Sequence, residues 1–420
     1  LIRTVLILLG LPVVAGLAFL AYALSPTAIE PVPRPAPTSL SSLAVERGAR
    51  LARIGNCQTC HTAAGGPSYA GGYGVETPFG TIYGTNITPD EETGIGHWSL
   101  AAFERAMREG IGARGEHLYP AFPYDHFTKL SDGDIAALYA FLMSREPVRR
   151  ETPENDLPAL LRFRPLLAGW KLLAFSDGRF VPDAALDPAV DYGRYLVEGA
   201  AHCGACHTPR NLIQAEIASK ALEGGQSGGW SAPAIAGAIS VSAPWTAETL
   251  TTYLRDGYAR DHGAGAGPMQ PVGFNLARTP EEDAQAIAAY LLSVMDQSVR
   301  PALDPARAAQ AEALPGAPLF AGACARCHGG SAAGASQGLP LAQSGTVHAE
   351  TPRNLVNFIL HGRQPARGDT GPAMPGFAGV LTRAQVAEIA AYVRARYSAE
   401  PPFSKLGESV DEIADRAGVP

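Results

Sequence analysis

Three copies of one five-residue frame constrain this chain more than any other feature. They are Cys57-Gln58-Thr59-Cys60-His61, Cys203-Gly204-Ala205-Cys206-His207 and Cys324-Ala325-Arg326-Cys327-His328, and they use all six cysteines of the 420 residues. Two thiols separated by two residues, with a histidine directly behind them, form the attachment frame for c-type haem. The thiols add to the haem vinyl groups and the imidazole binds the iron on its proximal side. A zinc site would need a second ligand pair close by, and the frames lie 146 and 121 residues apart. A thioredoxin-like redox site would need alternating strands and helices, a pattern absent from this sequence. The expectation is three covalent haems c, held by Cys57, Cys60, Cys203, Cys206, Cys324 and Cys327, with His61, His207 and His328 as iron ligands.

The frames sit inside a repeat. A glycine precedes each one: Gly48, Gly193 and Gly316. A helical pattern closes each copy, at 134–141, 283–290 and 385–392, and ends on an aromatic, Phe141, Tyr290 or Tyr392. A glycine on the first helix lets the aromatic-bearing helix cross closely over it. Between these, 98–110, 245–257 and 351–362 each read as a helix ending at a glycine. Twelve residues beyond Gly257 and Gly362 stand Met269 and Met374. The chain has five methionines, so two at one repeat coordinate read as sixth iron ligands rather than core fillers. Pro268 and Pro375 stiffen those loops. Helix, attachment frame, methionine loop and closing helix together resemble class I cytochrome c. The expected fold is mainly α: three tandem class I cytochrome c domains, at 43–146, 189–297 and 308–398, behind an N-terminal transmembrane helix.

Residues 4–24 are apolar apart from Thr4, with Arg3 ahead and Ser25-Pro26 behind. As a helix they would span about 31 Å, one bilayer core. A removed leader cut near Ala21-Tyr22-Ala23 and a retained anchor both fit, and the anchor (1–26) is the expectation. Arg3 then keeps the short end cytoplasmic and places the haem domains on the periplasmic side of the inner membrane. Residues 27–42, with Pro31, Pro33, Pro35 and Pro37, read as an extended spacer. The insert 147–188 carries an apolar run at 157–175 and is expected to pack between domains, with a partner or membrane contact as the alternative. The tail 399–420 reads as a solvated surface helix around 410–417. A net charge of −7 gives no basic surplus, so nucleic acid is not an expected partner.

The resemblance sharpens at 77–90 (Thr-Pro-Phe-Gly-Thr-Ile-Tyr-Gly-Thr-Asn-Ile-Thr-Pro-Asp), 93–98 (Thr-Gly-Ile-Gly-His-Trp) and 117–124 (His-Leu-Tyr-Pro-Ala-Phe-Pro-Tyr). Over nearly its whole length the chain is similar to the cytochrome c subunits of membrane-bound periplasmic dehydrogenases from acetic acid bacteria and their relatives. These oxidise alcohols, aldehydes, gluconate, sorbitol or fructose. The resemblance implies an electron-transfer subunit fed by a large substrate-oxidising subunit, molybdenum-containing, with a small iron–sulfur subunit, and delivering to ubiquinone. Phe122 stands where alcohol- and sugar-type relatives carry Met, which points to the aldehyde-oxidising members. An alcohol or sugar/polyol dehydrogenase subunit, a terminal-oxidase subunit and a peroxidase-like enzyme with an open first haem are the alternatives. No dinucleotide fingerprint or Ser-His-Asp pattern is present, so substrate oxidation is assigned to another subunit.

The first copy lacks its methionine. Twelve residues beyond Gly110 stands Phe122, which cannot bind iron. Met107 lies at a packing position on the preceding helix. His126 is the expected sixth ligand, with His117 or an open iron as alternatives.

Overall fold

The structure, a computed structural model, describes residues 2–329, 338–365, 371–416 and 418, with side chains from residue 13 onward. Helices dominate, joined by loops and short two-stranded ribbons. The chain forms two compact units, residues 1–186, 194–205 and 210–216 in one, and 187–193, 206–209 and 217–420 in the other.

The first unit contains α1 (Ile2–Ala23), α2 (Ser42–Ile54), α3 (Leu100–Glu109), α4 (Asp132–Met143) and α5 (Leu166–Ala174). α2 and α4 cross at Gly48. A Cβ there would lie 1.9 Å from the Ala137 carbonyl oxygen and 2.7 Å from Phe141 Cβ, so the approach requires glycine. Leu51, Ile54, Ile135, Leu138 and Phe141 are buried around that crossing. The Ser99 side chain caps α3 by accepting from the Ala102 amide, and the helix ends on left-handed Gly110. Two strands, β1 (Gly74–Thr77) and β2 (Gly80–Tyr83), pair antiparallel with Gly74 opposite Tyr83.

The second unit holds the hairpin of β3 (Gly225–Ser227) and β4 (Trp230–Ala232), and β5 (Gly237–Val241) running parallel to β6 (Met295–Val299). Its helices are α6 (Ala247–Asp256), α7 (Glu281–Val294), α8 (Gly316–Ala323), α9 (Arg353–His361), α10 (Arg383–Tyr397) and α11 (Leu406–Arg416). The crossing of the first unit recurs here twice. A Cβ on Gly193 would sit 1.9 Å from the Ala286 carbonyl oxygen on α7, and one on Gly316 2.1 Å from that of Glu388 on α10. Tyr290 and Tyr392 stand beside these glycines as Phe141 does beside Gly48.

Two sequence expectations are corrected. Among the described residues no helix is long and apolar enough to cross a membrane. The transmembrane helix expected at 4–24, and the inner-membrane placement with a cytoplasmic N-terminus built on it, therefore do not stand. The segment is helical over Ile2–Ala23. Two of its residues meet the rest of the first unit: Phe19 lies against Gly169 of α5, and the Ala23 carbonyl accepts from His117 Nε2 at 3.0 Å. The tail helix is also not solvated on every face. α11 buries Val410, Ile413 and Ala414 in the core formed by α9 and α10, though Ala417 lies outside the described residues.

Candidate haem-attachment frames

Each cysteine frame folds as one helical turn after the first helix of its copy: Cys57–Cys60, Gly204–His207 and Ala325–His328. In the first two copies the residue ahead of the first cysteine is left-handed, Asn56 at φ 49° and His202 at φ 39°. That reversal turns the chain out of the helix so the thiols leave its axis. None of the six cysteines is in a disulfide.

The three histidines share one contact. His61 Nδ1 lies 2.6 Å from the Thr85 carbonyl oxygen, His207 Nδ1 2.7 Å from that of Pro233, and His328 Nδ1 3.1 Å from that of Leu339. A carbonyl accepts only, so Nδ1 carries the proton and Nε2 keeps its lone pair. Burial pushes all three imidazoles below the ordinary histidine range, against the carbonyl contact that favours the charged form, and so keeps them neutral. A neutral imidazole oriented through Nδ1 is what an iron ligand requires, and the thiols stand one and four residues before it. The residues present fit a haem c.

The methionine coordinates lie on loops of the second unit. Met269 ends the short turn Gly267–Met269, whose Gly267 is left-handed beneath the Trp230 ring. Met374 is paired through its backbone with Arg363, in both directions, at 2.8 and 2.9 Å. Both side chains are half-buried.

His126, the expected sixth ligand of the first iron, stands in the first unit. It is buried, with Nδ1 2.8 Å from the Glu198 carbonyl oxygen and Nε2 2.9 Å from Glu216 Oε1. Burial opposes its charge, but the hydrogen bond and charge of Glu216, with Asp125 nearby, outweigh that and raise its pKa. Both ring nitrogens are thus hydrogen-bonded within the protein. His117 is equally committed, to the Ala23 carbonyl through Nε2 and to Lys171 Nζ through Nδ1 at 3.2 Å. Phe122, at the methionine coordinate, joins an aromatic cluster with Phe127 and Tyr124, and Tyr124 meets Trp170 and Phe175 of the insert edge-on.

Residues 45–146 match the family model for cytochrome c, and 311–393 that for cytochrome c oxidase, cbb3-type, subunit III. The second frame lies outside both segments. The chain is 36% identical over 397 residues to the cytochrome c subunit of alcohol dehydrogenase (quinone) from Komagataeibacter europaeus, covering 89% of this chain and 85% of that protein. It belongs to the cytochrome c subunits of dehydrogenase complexes. The fructose dehydrogenase cytochrome subunit of Gluconobacter japonicus is 35% identical over 395 residues, 86% of this chain and 81% of that one. A nicotinate dehydrogenase subunit of Pseudomonas putida is 45% identical over 395 residues, 92% of this chain, but the chain spans only 33% of that protein's length. As a member of this family the chain is an electron-transfer subunit with covalent haem c and iron, and it works with a catalytic dehydrogenase partner.

Sequence reasoning missed several residues that shape this cytochrome subunit. His202, directly before Cys203, is held neutral by burial, with its pKa pushed down to about 4, and its Nε2 lies 3.1 Å from the Gly55 carbonyl oxygen, two residues before Cys57. Lys171, inside an apolar run, is buried and donates to the Glu109 and Gly110 carbonyls at the end of α3. Glu216 carries no signal, because its partner His126 is 90 residues away. His202 has one, its position beside the second frame.

Proposed function

We propose that this cytochrome subunit carries three haems c: Cys57 and Cys60 with His61, Cys203 and Cys206 with His207, and Cys324 and Cys327 with His328. The domains are 43–146, 189–297 and 308–398, with Met269 and Met374 as sixth ligands of the second and third irons. Bound haem supplies reversible one-electron exchange at iron. The chain's residues hold the group covalently, fix the ligand tautomer and set the potential through the sixth ligand and burial. The observation that carries the reading is the threefold recurrence of one arrangement, a glycine crossing with an Nδ1–carbonyl contact. Haem that resists acid–acetone extraction should amount to three per chain; two, or an extractable one, overturns it.

The first iron is the odd one in this proposal. With His126 and His117 engaged on both nitrogens, neither supplies its sixth ligand. His126→Ala should leave the low-temperature EPR signal of the first haem unchanged, and a changed signal would restore His126 as a ligand.

The proposed partner contains molybdenum, works with a small iron–sulfur subunit, and passes its electrons through this chain to ubiquinone. Oxidation of an aldehyde to an acid, or hydroxylation of an electron-poor ring carbon, takes oxygen from water and releases two electrons and two protons. The nicotinate dehydrogenase relative and the Phe122 form of the loop both favour that substrate class over alcohols. Purification of the complex tests it: aldehyde or heteroaromatic acid should reduce the haems, and reduction by alcohol alone refutes it. The match of 311–393 favours a second reading, an oxidase subunit, which predicts copurification with a haem–copper subunit instead.

A further inference from the structure

The loops bearing Met269 and Met374 are tied together through one side chain. Arg363 is only 3% exposed. Its Nε donates to the Gly265 carbonyl at 3.1 Å, its Nη1 to the Pro372 carbonyl at 2.7 Å, and its Nη2 to the Asp256 carbonyl at 3.4 Å. Gly265 precedes Met269 by four residues, and a Cβ on it would lie 3.1 Å from Met269 Cγ. Pro372 precedes Met374 by two, and the Arg363 backbone is itself paired with Met374. One guanidinium therefore fixes a carbonyl in each loop.

A second link runs beside it. Gln270, next to Met269, donates to the Gln364 carbonyl, and the Gln364 side chain donates to the Met374 carbonyl at 3.3 Å. Behind these, the Asn354 side chain and the Ser231 backbone exchange two hydrogen bonds of 2.8 Å, and Trp230 meets Phe358 edge-on. The loops are thus parts of one packed structure within the second unit. A guanidinium fork suits such a position, because arginine offers several fixed donors on one plane, whereas an ammonium is a single point. Removing a buried charged donor also strands the carbonyls it served.

We infer that Arg363 is a positioning residue for two irons at once, holding both methionine loops so that the second and third haems keep their thioether ligands together. This rests on Met269 and Met374 being ligands. A thioether on ferric haem c gives a weak near-infrared charge-transfer band and a raised potential. Our experiment uses the full-length, haem-loaded chain. In the parent protein, Met269→Ala and Met374→Ala should each remove part of the band; if neither does, the ligand reading fails and the inference with it. If both do, Arg363→Met should weaken the band beyond either single methionine change and lower two of the haem potentials together. Loss equal to Met374→Ala alone would make Arg363 a brace of its own loop only and overturn the inference. Should Arg363→Met fail to fold, Arg363→Lys decides: both contributions are expected to weaken, and a parent-strength band overturns the inference.

Discussion

His126 and Glu216 place one ion pair inside the first unit, and its sign fixes a pH window. Burial opposes both charges, but each partner's hydrogen bond and charge outweigh it: the His126 pKa is raised and that of Glu216 lowered. The histidine's contribution is full below its unfolded value of about 6.5 and is lost as pH rises through its folded value. The glutamate's contribution is full above about 4.3 and is lost as pH falls through its folded value. The pair is therefore complete between those two limits. Denaturant unfolding at about pH 5.5 should show His126→Gln and Glu216→Gln each destabilising by about 1–3 kcal/mol, with the gap from the parent shrinking as pH rises through the raised His126 value. Equal gaps at all pH values would mean the pair carries no charge. Neither residue advertises this in the sequence. A histidine four residues from a missing methionine reads naturally as a ligand, and its carboxylate sits 90 positions downstream.

At the scale of elements, the three crossings are what the sequence displays most openly. Backbone-to-backbone contact tolerates no side chain, so glycine at one fixed place opposite an aromatic at another is a readable pair. α8 allows a matched test. A Cβ at Gly316 would enter the Glu388 carbonyl at 2.1 Å, whereas one at Gly322 meets nothing within 4 Å. Gly316→Ala should cost about 1–3 kcal/mol by overpacking. Gly322→Ala should be neutral or stabilise by up to about 1 kcal/mol, since alanine is the better helix former. Thermal unfolding of the haem-loaded protein reads both, and similar shifts would deny the crossing its role. Caps are legible for the same local reason, as at Thr246, where the side chain of Thr249 answers that of the cap residue. The parallel pairing of β5 with β6 is not legible, because its partners lie 58 residues apart and neither strand alternates clearly.

Across the whole molecule, the errors fall where a run of residues is read without its neighbours. Length alone makes the N-terminal apolar helix look like a bilayer span, and conspicuous charges make the tail look solvated. Those charges instead pin α11: Arg383 faces Asp411 and Asp415, and Arg353 faces Glu412. Exposed pairs of this kind contribute little. The burial of Val410 and Ile413 contributes more, about 3–5 kcal/mol for two large side chains. Truncation after Tyr397 should lower the unfolding temperature of the second unit, and an unchanged transition would show the tail to be dispensable. The crossings also govern when each copy can close. Gly48 and Phe141 are 93 residues apart, Gly193 and Tyr290 97, and Gly316 and Tyr392 76. Each cysteine pair is made early and its covering helix late, an interval of roughly 5–20 s at ordinary rates of synthesis. The closing helix of each copy therefore follows its thiols, and no copy can complete its crossing before that helix is made.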